Sequence, residues 1–147
     1  MTALAAAEDS RFEALDLEVS RIGPSYSVDT LEQLSTAHPE AELHFIMGAD
    51  AAAGLGDWRQ PERVVELARP AIARREGVAL AEVLAVMRRL GVADRVNILE
   101  MPSFGVSSSL VRERAAAEMP LRYLVPDAVA ELISDKRIYG GADGGIS

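Results

Sequence analysis

The chain has 147 residues, 49% hydrophobic but only 5% aromatic, which suits one Ala-, Val- and Leu-rich globular domain and is too short for two separate cores. A formal net charge of −8 argues against general affinity for nucleic acid or an anionic membrane, so any anion-binding site has to be local. With no cysteine and two histidines, His38 and His44, there is no disulfide framework and too little imidazole for most zinc sites. No run of about 18 apolar residues occurs, and MTALAAAEDSRF has neither a basic n-region nor a long apolar one, so the expected location is cytoplasmic. One domain is expected over residues 1–139, with a flexible tail over 140–147.

The Ala-rich residues 1–8 read as the end of a helix, and Leu15, Leu17 and Val19, alternating with Asp16 and Glu18, read as a half-buried strand. Gly23 and Pro24 then make a turn, and Ser27 suits an N-cap for a helix carrying Val28, Leu31 and Leu34 up to His38-Pro39. Residues 43–47, LHFIM, form a strand expected to be covered on both faces, ending at Gly48. A glycine-punctuated loop with a short helical piece follows, then a helix opened by Pro61. Residues 70–74 read as a strand. Leu80, Val83, Leu84 and Met87 give a helical stripe ending before Gly91. Another strand is expected over 96–99, a helix from the serines to about Glu118, and a last helix over 127–133. Strand, crossover and helix in alternation imply a parallel sheet flanked by helices, an α/β fold in which ligands sit at the carboxyl ends of the strands.

Three loops after strands carry unusual residues. In VSSSLVR, Ser107, Ser108 and Ser109 stand at a helix start, where free N–H groups and hydroxyls meet phosphate oxygens and Arg112 adds a charged fork; a plain N-cap with spare serines fits the same pattern. Gly48 lets a ligand approach the backbone, and Asp50 either accepts from sugar hydroxyls or caps the helix behind it. Trp58, the only tryptophan, either stacks on a planar ring or covers the core edge. Ser27 and Thr30 serve equally as caps, and His44 inside a strand is a face histidine before it is a catalytic one. Arg21, Arg59, Arg75 and Arg112 are the cations available to gather around anionic substrates.

In order and spacing, R-x-G-P-S-Y-S-V-D-T-L, F-I-M-G-A-D-A, G-D-W-R, V-S-S-S-L-V-R and R-Y-L-V-P-D-A-V resemble the bacterial nicotinate-nucleotide adenylyltransferase family over nearly the whole chain. The resemblance implies a Rossmann-like nucleotidyltransferase fold and transfer of the adenylyl group of ATP to nicotinate mononucleotide, with Mg²⁺ accompanying ATP. It implies that Ser107, Ser108 and Arg112 grip ATP phosphates, Ser109 standing where the family has threonine, and that Gly48 and Asp50 lie near ribose and phosphate. Ser25, Tyr26 and Ser27 resemble the family's S-Y-T, Ser27 meeting the nicotinate carboxylate. Trp58 matches the tryptophan that stacks on the pyridine, and Arg75 falls where the family often has R-P-G. The family's G-x-F-D-P-x-H-x-G-H segment, whose histidines contact ATP phosphates, does not occur in this sequence, and Met1 aligns with the interior of a family helix, which reads as an N-terminally truncated form. Alternatives are an impaired fragment, a nucleotide-binding module, or a related adenylyltransferase for nicotinamide mononucleotide or phosphopantetheine. A homo-oligomer is compatible with the sequence.

Overall fold

The structure, a computed structural model, describes residues 1–74, 80–102 and 105–140. Arg75 and the tail over 141–147 lie outside the described residues. The elements run α1 (Thr2–Ala6), α2 (Ser27–Ala37), β1 (His44–Gly48), α3 (Ala49–Ala53), a 3₁₀ turn (Leu55–Asp57), α4 (Pro61–Leu67), β2 (Arg69–Arg74), α5 (Leu80–Arg89), β3 (Asn97–Glu100), α6 (Ser108–Ala116) and α7 (Asp127–Asp135). They fall into two compact units, Asp16–Ser103 on one hand and Met1–Leu15 with Phe104–Ser147 on the other. No helix among the described residues is long and apolar enough to cross a membrane.

The first of these units holds a parallel sheet in the order β1-β2-β3, with Met47 beside Ile72 and Ile72 beside Ile98. Parallel neighbours need a crossover, and crossovers are right-handed almost without exception. Two right-handed crossovers stepping the same way across a sheet leave their helices on the same face. The core agrees: Val28, Leu31, Ala52, Leu55, Val64, Val65, Val83 and Met87 from the helices cluster with Met47 and Ile72 from the strands. Pro70 is tolerated in the middle strand. Arg69 N–H bonds Leu43 O at 2.9 Å toward β1, so the missing N–H of Pro70 faces β3, whose ladder begins only at Ala71.

This one-sided cover corrects the expectation that residues 43–47 are buried on both faces. β1 buries Met47 and half-buries Phe45, whereas Ile46 on the opposite face is 65% exposed. The strand expected around Leu15, Leu17 and Val19 is absent. Leu15 is 52% and Val19 89% exposed, and the polar residues between them bond locally instead. Ser20 N–H donates to Asp16 O at 3.0 Å and Arg21 N–H to Glu18 O at 3.3 Å, while Ser20 Oγ donates to Asp16 Oδ2 at 3.2 Å. Such short-range bonds compete with a strand ladder.

The expectation of a single core is corrected by the smaller unit, which packs Val111 of α6, Leu121, and Val129 and Ile133 of α7 into its own cluster, joined by Ala5 of α1 and by Tyr139. Val129 and Ile133 are four residues apart and share one helix face. Arg114 holds the turn after α6, its Nε and Nη2 donating to Pro120 O at 3.1 and 2.8 Å.

A one-faced core makes Ile72, fully buried, and Ile46 unequal despite their identical side chains. Ile72→Ala is expected to cost about 2–5 kcal/mol in urea unfolding and Ile46→Ala no more than about 0.5 kcal/mol. Equal costs would contradict the asymmetry.

Candidate functional site

At the carboxyl end of β1 the chain turns straight into α3. Gly48 is the N-cap residue in an extended conformation, φ −68° and ψ 154°, which any residue can adopt. What glycine supplies there is bare space, because a Cβ at Gly48 would meet nothing within 4 Å. Asp50 lies exposed in the first turn of α3, which has no side-chain cap, so its carboxylate is not spent on the helix. That removes the capping alternative and leaves an acidic group free beside an open backbone.

Trp58 ends the 3₁₀ turn and is half-buried. Its ring meets Phe45 edge-on, with centroids 6.1 Å apart and planes at 68°, and it packs against the main core. One side of the indole therefore covers the core edge, and only the remaining surface is open to a ligand.

The expected N-cap at Ser27 is corrected by one position. α2 begins at Ser27, its N-cap is Tyr26, and no side chain caps it. Tyr26 O accepts from the N–H groups of Asp29 and Thr30 at 3.1 and 3.4 Å, and none of the described groups accepts from Ser27 N–H or Val28 N–H. Ser25 Oγ donates to Glu18 O at 3.3 Å, closing the turn before the helix. Thr30 is part of a small network, donating to Glu18 Oε1 at 2.7 Å and accepting from Arg21 Nη1 at 3.4 Å. Arg21 Nη2 is buried without a partner among the described residues.

One contact here escaped the sequence altogether. The Arg59 guanidinium lies 4.6 Å over the centre of the Tyr26 ring, and its Nη1 is 3.9 Å from Asp29 Oδ2. Residues 26 and 59 belong to no common periodicity, so no sequence signal beyond the bare Trp-Arg pair points to it.

In the smaller unit, Ser107 is the N-cap of α6 and accepts from Leu110 N–H at 3.1 Å. The capping alternative is thus correct for this serine. Ser108 opens the helix with its hydroxyl exposed, and Ser109 Oγ accepts from Arg112 Nη2 at 3.2 Å, which holds the guanidinium against the first turn. Ser107, Ser108 and Arg112 line the polar side of a cavity of about 360 Å³ whose other wall is Val111, Val125, Val129 and Ile133.

Within the sheet-bearing unit, neither histidine joins Gly48, Asp50 and Trp58. His38 is the C-cap of α2. His44 sits at the opposite end of β1 from Gly48, its Nε2 3.2 Å from Glu42 Oε1 and its Nδ1 3.3 Å from Asn97 Nδ2. Among the described residues, no three His, Cys, Asp or Glu side chains gather as a metal site.

No protein-family model matches the chain. It is similar to a probable nicotinate-nucleotide adenylyltransferase of Corynebacterium glutamicum, 38% identical over 95% of this chain and 62% of that protein. It is also similar to the probable nicotinate-nucleotide adenylyltransferase of Mycobacterium bovis, 38% identical over 97% of this chain and 67% of that protein. The chain thus spans a little under two-thirds to two-thirds of the length of these relatives. Among solved structures it resembles Plasmodium falciparum nicotinic acid mononucleotide adenylyltransferase complexed with APC, TM-score 0.66 at 19% identity over 95% of this chain and 72% of that one. The same enzyme complexed with NaAD matches at TM-score 0.69 and 18% identity, over 95% and 71% of the two chains. These likenesses fix the fold as the Rossmann-like nucleotidyltransferase type. With the identity carried across almost its whole length, the chain belongs to the nicotinate-nucleotide adenylyltransferase family.

Proposed function

We propose that the chain serves adenylyl transfer from ATP to nicotinate mononucleotide, giving nicotinate adenine dinucleotide and pyrophosphate, a step of NAD biosynthesis in the cytoplasm. A phosphate oxygen of the mononucleotide attacks the α-phosphorus of ATP, the bond to the β-phosphate oxygen breaks, and the electron pair leaves with pyrophosphate. The observation that carries the reading is the start of α6, where the free Ser108 hydroxyl, the capping Ser107 and a guanidinium tethered to Ser109 fall on one helical turn beside an open cavity. A helix N-terminus and an arginine fork both suit a polyphosphate.

In this reading Ser107, Ser108, Ser109 and Arg112 grip ATP phosphates, and Gly48 and Asp50 attend ribose and phosphate. Ser25, Tyr26 and Ser27 meet the pyridine nucleotide, and Trp58 offers its free surface to the ring. Arg75 keeps its place in the assignment on resemblance alone. The two compact units are treated as parts of one nucleotidyltransferase-like domain. Mg²⁺ would be held chiefly by ATP phosphates and water, since the described residues form no cage for it. Phosphoryl and nucleotidyl transfer depends on positioning and charge stabilisation rather than a covalent nucleophile.

A second reading, binding without transfer, is favoured by one observation: neither His38 nor His44 lies with Gly48, Asp50 and Trp58 of its own unit. Loss of one charge-stabilising donor typically costs about 10²- to 10³-fold in rate. Incubation with ATP, Mg²⁺ and nicotinate mononucleotide is expected to yield dinucleotide and pyrophosphate in equal amounts. Saturable ATP binding with no pyrophosphate would select the second reading, and absence of both would remove the first.

Three substitutions sharpen the site. Arg112→Ala is expected to weaken ATP binding by about 1.5–3 kcal/mol; an unchanged dissociation constant would remove Arg112 from the site. Ser107→Ala should lower stability by about 1 kcal/mol through the lost cap, whereas Ser108→Ala should leave unfolding unchanged and weaken ATP binding. Nicotinate mononucleotide should quench the emission of Trp58, the single tryptophan; constant emission at saturation would count against stacking.

A further inference from the structure

Gly56, in the middle of the 3₁₀ turn, sits against the end of α5. A Cβ at this position would lie 1.7 Å from Arg89 Nη2 and 3.0 Å from its Cζ, and no other described glycine has an atom that close to where a Cβ would stand. The φ of Gly56 is not positive, so the backbone itself does not call for glycine there. The guanidinium of Arg89 fills the space that a side chain at position 56 would take.

Arg89 reaches the turn from a fixed base. It lies in the last turn of α5, two residues after the fully buried Met87. The helix closes on a pair of bonds, Gly91 N–H to Arg88 O at 3.0 Å and Val92 N–H to Met87 O at 2.9 Å, with Gly91 at φ 72°. This left-handed stop pins the helix terminus. Among the described residues no carboxylate pairs with Arg89, as none pairs with Arg88 or Arg95, so its place is not set by an ion pair. It rests on the bare backbone of Gly56 instead.

The turn gains from such a support. It is three residues long, Leu55–Asp57, and short 3₁₀ turns have poorer hydrogen-bond geometry than an α-helix. Leu55 anchors its inner side, completely buried, whereas Gly56 has no side chain to anchor anything. Trp58 follows directly, its N–H donating to Leu55 O at 3.1 Å, and Phe45 holds one side of its ring. A shift of the turn is therefore passed on to the plane of the indole.

We propose that Arg89 is a positioning residue: its guanidinium straps the 3₁₀ turn at Gly56 and so sets the orientation of Trp58 toward the ring of the mononucleotide, an inference that rests on the adenylyl-transfer reading. Arg89 acts through the backbone of residues 56–58 and not by touching a substrate.

Gly56→Ala and Arg89→Ala break this contact from opposite sides. The methyl group added in Gly56→Ala displaces only the far end of a flexible side chain, so the fold is kept. Calorimetric titration of the full chain with nicotinate mononucleotide and with ATP, and the emission of Trp58 in the free protein, are compared in wild type, both single variants and the double variant. Each single variant is expected to shift the Trp58 emission and to weaken nicotinate mononucleotide binding about 5- to 10-fold, part of what a stacked ring contributes, with ATP binding unchanged. The double variant should match Arg89→Ala, because two changes to one contact do not add. Arg89→Lys, which reaches Gly56 without the planar fork, should recover part of the loss. Unchanged mononucleotide affinity in both single variants would overturn the proposal whatever the emission does, and would spare the adenylyl-transfer reading. Equal losses for mononucleotide and ATP would assign Arg89 to the fold, and additive losses would separate Arg89 from Gly56; either result overturns it. A wild-type chain that binds neither ligand would bring down the adenylyl-transfer reading and this proposal together.

Discussion

The parallel pairing of β1, β2 and β3 in chain order is the constraint from which the sheet-bearing unit follows. It obliges each connection to cross over, it gathers the helices on one face, and it brings all three strand ends out on one side. Gly48, Asp50 and Trp58 follow the first of those ends. Ile72, completely buried in the middle strand, is where the two ladders and the helical cover meet. None of the described polar or charged side chains is buried. Arg21 Nη2 apart, the described charged groups are ones that water already reaches, and their electrostatic interactions are screened by salt.

What could be read from the sequence was what repeats. Val28, Leu31, Val83 and Met87 recur at helical spacing and all four are buried; the glycine and proline punctuation around them located α2, α4 and α5 to within a residue or two. Periodicity failed where it was short or where a second face mattered. Leu15, Leu17 and Val19 alternate like a strand, but the backbone there closes local turns, Ser20 N–H to Asp16 O and Arg21 N–H to Glu18 O, with Ser20 Oγ bonded to Asp16 Oδ2 beside them. Residues 43–47 are apolar throughout, and that composition cannot tell an exposed Ile46 from a buried Met47, because coverage depends on which way the crossovers turn. The site followed the same rule. Ser107 at a helix start was legible, whereas the Tyr26–Arg59 stack is a tertiary event between residues 33 positions apart that leaves no local trace.

Binding and chemistry make different demands on these loops. Binding needs donors that fit an anion, and the starts of α2 and α6 offer them. Transfer needs, in addition, a group that meets negative charge as it develops on the phosphorus and the leaving oxygen. His44 is excluded from that task by distance along its own strand: four residue steps separate it from Gly48, about 13 Å at the rise of a parallel strand. Its two nitrogens are moreover turned to Glu42 and Asn97. In the adenylyl-transfer reading, an arginine such as Arg112 would meet that charge by its fixed positive charge, without giving up a proton.

The start of α6 also dissolves an opposition between a structural and a functional serine. A hydroxyl carries one donor and two acceptor positions. Ser107 spends an acceptor position on Leu110 N–H, and that bond orients the oxygen while leaving its hydrogen free to be donated outward. Ser109 likewise accepts from Arg112, so the guanidinium is presented by the same turn that presents the hydroxyls. In the adenylyl-transfer reading, the cap and the proposed anion site would use opposite sides of the same oxygen atoms, and the rigidity that the cap confers would let exposed, solvated groups act together on a polyphosphate.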